Sequence, residues 1–346
     1  MALQATTGAR VDWVDYAKGW CIVLVVMMHS TLGVGDAMGS EGWLHHFVEW
    51  ARPFRMPDFF LVAGLFLHRT IDRDWRSYGD RKVVHFLYFY TVWLLIQAVL
   101  KLWPHDAAGF GDALTLFGGR LAWAYVEPFS TLWFIYLLPV FFIVTKLLRR
   151  VPVMLVLAAA AGLQMARIHT GYTMVDEFTD RYVYFFAGYA FSARFFAFAA
   201  WVRAKPAAGI AGLLVWGVSN GVVVVAGFSL LPGVSLLLGF AGALAVIAFA
   251  ALLSRRDLLP PLRYAGANSI VVYLAFFLPM AATRVIFIKF GLVGDVGTLS
   301  LIVTAVAVVV PLLLHLAVRN TRARFLFERP QAFRLERQPA RLLPAE

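Results

Sequence analysis

The sequence predicts an all-α protein, a polytopic transmembrane helix bundle of about ten spans with both termini in the cytoplasm. The composition, the apolar segments and the placement of basic residues lead to this fold class. Hydrophobic residues make up 61% of the 346-residue chain and charged residues 15%, with a mean hydropathy of +0.74. Soluble domains are about 45–50% apolar and about 25% charged. The composition therefore excludes an ordinary soluble domain.

Ten apolar segments are long enough, or nearly long enough, to cross a hydrocarbon core of about 30 Å. Polar connections or connections containing Gly and Pro separate them. The second and fourth segments are short, so their ends are the least defined. The predicted spans are residues 14–34, 54–69, 83–103, 131–148, 151–168, 182–200, 207–227, 232–253, 265–289 and 297–318.

The basic residues predict the orientation of these spans. With the N-terminus in the cytoplasm, most of the 31 Lys and Arg residues fall in cytoplasmic connections and in the tail. Cytoplasmic loops of membrane proteins carry this excess. It accounts for the net charge of +11, so we expect a lipid bilayer and no nucleic acid as the partner of the basic surface. The first apolar segment has no cleavage site of small residues, so we expect no cleaved signal peptide.

The chain contains no internal repeat, and we expect one transmembrane domain over residues 1–318. Residues 319–346 form a basic tail that contains three prolines. Such a tail is typical of a disordered cytoplasmic segment or of one that lies on the membrane surface. The single cysteine, Cys21, excludes an intrachain disulfide and a Cys-rich metal site.

Lys18 and His29 are the first candidates for chemistry. Ten residues separate them, so on an α-helix they share one face and lie about 16 Å apart along the axis. A lone intramembrane histidine can simply be hydrogen-bonded inside a helix bundle. An ionisable group at membrane depth is nevertheless costly, and it indicates function by default. Asp15 precedes Lys18 by three residues, a spacing that permits a local ion pair and leaves Lys18 able to touch an anionic ligand.

Arg52 and Arg55 lie at the outer end of the second span, where the charge bias disfavours them. They can reach the interface as isolated cations, or they can clamp an anion, for which a planar guanidinium is suited. Asp58 follows just inside the apolar run. It could pair with an arginine, or it could orient His29 for acid–base chemistry.

Two later segments also contain candidate residues. Trp133 and Tyr136 begin the fourth span, where aromatic residues usually mark the membrane interface. Asn268 and Ser269 open the ninth span and could cap the helix, with Tyr273 one turn further on. We expect these five residues to contribute to substrate binding if the spans enclose a site.

Several common catalytic motifs are missing from the sequence. There is no phosphate-binding loop, no zinc-protease motif, no hydrolase nucleophile elbow and no dinucleotide fingerprint. Cys21 lies about 80° around the helix from His29, which makes it a poor nucleophile candidate. The sequence therefore indicates neither a metal nor a bound cofactor.

The order of these motifs resembles acyltransferase family 3, a family of bacterial multipass acyltransferases. The first span of that family has a basic residue, ten residues and then a histidine, as residues 18–29 do here. Residues 52–64 resemble its Arg-x-x-Arg element and the Phe-Phe run that follows. Residues 131–136, 185–189 and 266–274 also fit, in order, across nearly the whole chain.

Three positions depart from the pattern of that family. Lys18 stands where Arg is common, Ala63 replaces the usual Ser before Gly64, and Phe276 occupies a place where many members have His. Many relatives also have a fused periplasmic domain, which this sequence does not contain.

The resemblance implies O-acylation in a bacterial inner membrane. The acyl group would be acetyl or succinyl, the donor cytoplasmic acetyl-CoA or succinyl-CoA, and the acceptor a hydroxyl of a carbohydrate or another cell-envelope molecule, as in polysaccharide modification. Lys18, with Asp15 beside it, would meet the phosphates of the donor. His29 would be the general base or would carry the acyl group covalently, and Arg52 and Arg55 would stabilise negative charge or hold the acceptor.

Two other functions compete with this one. A small-molecule transporter would also place charges at membrane depth, usually at interrupted helices in repeated halves. An inactive relative that acts as a sensor is the other alternative, because Phe276 replaces a common histidine. The absence of a repeated half and the concentration of polar residues in the first two spans favour the enzyme.

Overall fold

The computed structural model describes residues 11–104, 107, 109–128 and 130–335, and it contains no strand in those residues. The predicted all-α fold is therefore confirmed. The described α-helices are α1 (Asp12–Met38), α2 (Trp43–Ala51), α3 (Arg55–Gly64), α4 (Trp75–Gly79), α5 (His85–Lys101), α6 (Phe110–Trp123), α7 (Trp133–Leu147), α8 (Val153–Ala166), α9 (Thr173–Ala190), α10 (Ser192–Ala204), α11 (Pro206–Val225), α12 (Val234–Arg255), α13 (Pro260–Ala267), α14 (Ser269–Ala275), α15 (Phe277–Lys289) and α16 (Val296–Val318).

Six helical stretches in the described residues are long and apolar enough to cross a membrane, and the number rises to eight if each of two bent pairs counts as one span. The bent pairs are α9 with α10, at 75°, and α14 with α15, at 51°. The six stretches are Asp12–Met38, Trp75–Lys101, Ser130–Arg150, Pro206–Val225, Val234–Arg255 and Val296–Val318.

The structure thus supports six to eight spans where the sequence predicts ten. Two of the predicted spans contain only short helices: α3 has 10 residues and α8 has 14. A helix rises about 1.5 Å per residue, so neither covers about 30 Å of hydrocarbon alone. The orientation of the termini stays a prediction.

The chain divides into two compact units, and the single transmembrane domain over residues 1–318 stays a prediction. The first unit comprises Met1–His68, Pro152–Ile168 and Thr179–Leu316, and the second comprises Arg69–Val151, His169–Phe178 and Ala317–Glu346. The first unit contains α1 and most of the other long helices. The second is built around α5 and α7.

Helix α1 is the centre of the first unit, where it packs against α3, α12 and α13. The crossing with α13 is very close, because a Cβ on Gly266 would stand 1.7 Å from the Asp15 carbonyl oxygen and one on Gly19 would stand 2.1 Å from that of Leu262. Only glycine allows such an approach of two backbones. The close crossing fixes the end of α1 that contains Asp15 and Lys18.

A second crossing of the same kind joins α3 to α9 in this unit. A Cβ on Gly64 would stand 2.2 Å from the carbonyl oxygen of Phe185, and one on Gly188 would stand 2.1 Å from that of Leu61. The crossing fixes α3, the helix that contains Arg55 and Asp58.

In the second unit, a π-helical turn at Asp80–Val84 joins α4 to α5. The buried Lys146 of α7 donates hydrogen bonds to the carbonyl oxygens of Ile71 and Arg73, each at 2.6 Å. Tyr78 donates to the carbonyl oxygen of Phe142 at 2.6 Å. These bonds tie α4 and the segment before it to α7.

The described part of the tail after α16 has ordered structure. Residues 319–335 include two 3₁₀ helices, Arg322–Leu326 and Gln331–Phe333, and of the two predicted alternatives the membrane-surface segment stays a prediction. Trp93 donates to the carbonyl oxygen of Leu326 and Tyr88 to that of Phe325, both at 2.9 Å. Aromatic side chains of α5 therefore hold the segment in place. Residues 336–346 lie outside the described residues.

Candidate functional site

Helix α1 presents Lys18 and His29 as partly exposed residues, whereas 16 of its 27 residues are buried. The helix is continuous from Asp12 to Met38, so the two residues lie on one face about 16 Å apart along the axis, as the sequence predicts. Asp15, one turn before Lys18, is 8% exposed. The N-terminal half of α1 therefore holds a carboxylate and a cation close to the crossing with α13.

The ring of Phe276 lies beside His29. The two ring centroids are 5.6 Å apart and the ring planes meet at 32°. Phe276 is fully buried and stands at the bend between α14 and α15. Phe276, one of the three residues that depart from the pattern of the resembled family, is thus a direct neighbour of the predicted base.

Arg284 of α15 reaches the same helix one turn further along. Its Nη1 donates to the carbonyl oxygen of Gly33 at 3.0 Å, four residues after His29. Arg284 is not among the candidate site residues that the sequence predicts. An arginine inside the apolar segment 265–289 is itself a signal of function by the rule for intramembrane charges.

Arg52 and Arg55 lie in different environments. Arg52 is exposed and forms a 3.2 Å ion pair with Glu49. Arg55 is 8% exposed, and its Nη1 donates to the carbonyl oxygen of Val48 at 3.2 Å, whereas its Nε has no acceptor within the described residues. The two guanidinium groups therefore differ in what they can bind: Arg52 is exposed, and Arg55 is buried with an Nε that has no acceptor in the described residues.

Asp58 is fully buried on α3. Across the described residues, neither of its carboxylate oxygens accepts a hydrogen bond of standard geometry. The Cys21 thiol and the Arg55 guanidinium are among the groups that influence the electrostatic environment of the Asp58 carboxylate. Cys21 lies eight residues before His29, which is about 12 Å along α1. Within the described residues Asp58 forms neither an ion pair with an arginine nor a hydrogen bond with His29, so both interpretations of Asp58 stay predictions.

Asn268 joins α13 to α14, and its side chain caps the end of α13. Its Nδ2 donates to the carbonyl oxygen of Tyr264 at 2.9 Å, which satisfies a carbonyl at the end of α13. Ser269 begins α14 and is partly exposed, while Tyr273 in the same helix is 5% exposed. Helix α14 packs against α1, so these residues belong to the unit that contains His29.

Trp133 and Tyr136 belong to the second unit, on the first turn of α7. Tyr136 donates to the carbonyl oxygen of Tyr125 at 2.6 Å, and its ring lies 4.6 Å from that of Tyr90. Both residues are partly exposed. The structure therefore places Tyr136 in an aromatic cluster, and a role in substrate binding stays a prediction.

Comparison with known proteins agrees with the motif order. The sequence profile of a family described as an acyltransferase domain matches residues 11–316, nearly the whole chain. The chain is also 24% identical over 161 residues to the inner membrane protein YcfT of Escherichia coli (strain K12), an alignment that covers 40% of this chain and 44% of that protein. The chain thus aligns with less than half the length of this curated relative.

No solved structure matches the chain. The family match extends over α1 through α16 and includes every candidate residue of both units. The resemblance seen in the motifs is therefore confirmed, and the chain belongs to acyltransferase family 3.

Proposed function

We propose that this protein is an integral membrane O-acyltransferase that moves an acetyl or succinyl group from cytoplasmic acyl-CoA to a hydroxyl of a carbohydrate or another cell-envelope acceptor. The family supports acyl transfer in a membrane. The observation that carries the finer proposal is the arrangement on α1, where a cation and a partly exposed imidazole share one face. The bacterial inner membrane is the proposed location, by analogy with the relative's printed name.

The donor would lie along α1 from Lys18 towards His29. Lys18 offers an ammonium group to the donor phosphates, with Asp15 one turn away. The rise of about 16 Å between Lys18 and His29 is of the same order as the length of a pantetheine arm. The thioester carbonyl would then lie near the imidazole.

In the proposed step His29 is the general base. It takes the proton of the acceptor hydroxyl while the hydroxyl oxygen attacks the thioester carbonyl carbon. The carbon–sulfur bond breaks, the CoA thiolate leaves, and the imidazolium returns the proton to the thiolate sulfur. The alternative is that His29 carries the acyl group before the hydroxyl attacks it.

The arginines near this helix are suited to electrostatic roles. Negative charge develops on the carbonyl oxygen during the attack, and a preorganised donor for that charge is among the largest contributions to catalysis. Arg55 has an Nε without an acceptor in the described residues, and Arg284 is bound to α1 one turn beyond His29. Arg52 is exposed and would hold the acceptor.

The test uses the full chain in nanodiscs. Acetyl-CoA and succinyl-CoA are offered separately, and release of free CoA is followed for the wild type, His29→Ala and His46→Ala. His46 is an exposed histidine of α2 and is the matched control. We expect His29→Ala to lower release by about 10²–10⁴-fold, the usual contribution of a general base, and His46→Ala to leave it unchanged.

A transporter is the second candidate, because interrupted helices are common at transporter binding sites and two helix pairs here are bent by 75° and 51°. The same assay separates the two functions. A folded protein that releases no CoA from either donor with cell-envelope carbohydrate present would count against the enzyme. Uptake of a solute without donor turnover would establish the transporter.

A further inference from the structure

Two adjoining cavities lie at the described tail: the smaller is between the tail and the start of the helical stretch Trp75–Lys101, and the larger is lined by tail residues alone. Their volumes are about 290 and 670 Å³, and the larger is within the range of small-molecule sites. Glu328, Arg329 and Arg334 line both of them. All of the lining residues belong to the second unit.

A buried ion pair holds the wall of these cavities in place. Arg329 and Asp80 pair at 2.7 Å, with each side chain 7% exposed, and Arg329 also donates to the Asp80 carbonyl oxygen at 2.9 Å. The amide of Leu335 donates to the other Asp80 carboxylate oxygen at 2.7 Å. The tail is thereby fixed against the π-helical turn at Asp80–Val84, so its other arginines hold defined positions.

Three further arginines line these cavities and have no ion-pair partner in the described residues. Arg81, Arg322 and Arg324 are exposed, and within the described residues their side chains donate no hydrogen bond and form no ion pair. The cavity walls together contain five arginines and two carboxylates, and one of those carboxylates is already paired with Arg329. The site is therefore an anion site by charge, and planar guanidinium groups suit phosphate.

The position of the smaller cavity along the stretch Trp75–Lys101 indicates the source of the anion. The stretch Trp75–Lys101 has 27 residues and is about 40 Å long, which is longer than a hydrocarbon core of about 30 Å. Its first turns contain Arg76, Asp80 and Arg81, and charged groups are costly in hydrocarbon, so we place these turns in the headgroup layer. Exposed apolar side chains stand along the described tail: Phe325, Phe333 and Leu335 are 43%, 57% and 46% exposed. Arginines beside exposed apolar groups are typical of a segment at a membrane interface.

We propose that these two adjoining cavities at the tail bind the phosphate headgroup of an anionic phospholipid. Arg81, Arg322 and Arg324 contact the phosphate, and the exposed side chains of Phe325 and Phe333 lie against the acyl chains. The site is independent of the acyl-transfer chemistry on α1. A soluble phosphate compound has the same chemistry, and the experiment separates the two sources.

The test is lipid binding to the full chain in detergent, measured by native mass spectrometry. Phosphatidylglycerol is titrated against phosphatidylcholine, and sn-glycerol 3-phosphate and inorganic phosphate supply the soluble arm. The variants are Arg322→Gln with Arg324→Gln together, and Arg73→Gln as the control, since Arg73 is exposed in the same unit and lines neither cavity. Because the two tested side chains have no protein partner in the described residues, their replacement should leave the unfolding temperature unchanged.

We expect the double variant to bind phosphatidylglycerol about thirtyfold more weakly than the wild type, because each basic residue near an anionic lipid contributes a factor of about five. Arg73→Gln should stay within about twofold of the wild type, and phosphatidylcholine should bind the wild type and the double variant alike. Unchanged affinity of the double variant for phosphatidylglycerol would overturn the proposal. So would a soluble phosphate that binds as tightly as phosphatidylglycerol and displaces it.

Discussion

The imidazole of His29 and the ring of Phe276 lie 5.6 Å apart, centroid to centroid, with an angle of 32° between their planes. Phe276 is fully buried and stands at the bend of the α14–α15 pair. The proposed base is therefore positioned on one side by an apolar ring, which can fix the imidazole but cannot exchange a proton with it.

Replacing Phe276 tests this positioning role. Phe276→Ala would leave a void beside the imidazole, and loss of a buried phenylalanine costs about 3–5 kcal/mol of stability. We expect kcat for CoA release to fall by about tenfold or more, because small displacements of catalytic groups are costly, while KM for acyl-CoA stays the same. Phe276→Leu, which keeps most of the volume, should retain most of the activity. If both variants matched the wild type in kcat, Phe276 would have no positioning role.

Lys18→Ala tests donor binding. Removal of a cation from the donor phosphates should raise KM for acyl-CoA by about tenfold, since hydrogen bonds to charged groups contribute about 1.5–3 kcal/mol. kcat should change little, because the contact exists in both the ground state and the transition state. Steady-state kinetics at varied acyl-CoA gives both values. Lys289→Ala, at the exposed end of α15, is the control, and equal KM values in the two variants would remove Lys18 from the donor site.

Arg52→Ala and Arg55→Ala should differ in their effect on the stability of the protein. Arg52 belongs to an exposed ion pair, a kind that contributes about 0–1 kcal/mol, so its loss should leave the unfolding temperature nearly constant. Arg55 is buried and donates to the carbonyl oxygen of Val48, and loss of a hydrogen bond that involves a charged group costs about 1.5–3 kcal/mol. Thermal unfolding in detergent measures both. Equal unfolding temperatures would show that the buried guanidinium of Arg55 does not contribute to stability.

Gly266→Ala should destabilise the first unit. The added Cβ would stand 1.7 Å from the Asp15 carbonyl oxygen, so α1 and α13 would have to move apart. Overpacking of this kind typically costs about 1–3 kcal/mol, which corresponds to a fall of roughly 5 °C in Tm for a unit of this size. Gly212→Ala in α11 is the control, since nothing lies within 4 Å of that position. A Gly266→Ala protein with the Tm of the control would contradict the close crossing.

Arg329→Ala should release the described tail from the second unit. The variant leaves Asp80 buried without its partner, a loss of about 3–5 kcal/mol. We expect faster amide hydrogen exchange over residues 322–335, followed by mass spectrometry, with helix α12 unaffected. Arg319→Ala, which changes an exposed arginine outside both cavities, should exchange like the wild type. Unchanged exchange in Arg329→Ala would mean that the aromatic contacts of α5 hold the tail by themselves.

Features that depend on the geometry of one continuous helix could be predicted from the sequence. The shared face of Lys18 and His29 needs only helical geometry, and α1 is continuous over both. Composition likewise predicted an all-α membrane protein. The neighbour of His29 could not be predicted in the same way, because Phe276 reaches it through a contact between helices distant in sequence.

The number of spans was harder to predict for a physical reason. A hydropathy window measures apolar length and does not detect a bend, such as that between α9 and α10. It also counts the short helix α3 together with apolar residues beyond its end. The fixed tail depends on the Arg329–Asp80 pair, whose partners are 249 residues apart, and local composition holds no sign of such a pair.

The sequence contains a single cysteine, Cys21, and its thiol is buried inside the first unit. The wild-type chain should therefore give almost no background with a membrane-impermeant maleimide. A cysteine introduced in any connection between helices would then be the only labelled position, and its reaction from one side of the cell envelope or the other would report the topology directly. The wild-type chain is therefore a suitable background for cysteine scanning, which would give the number of membrane spans and the side of the membrane on which each terminus lies.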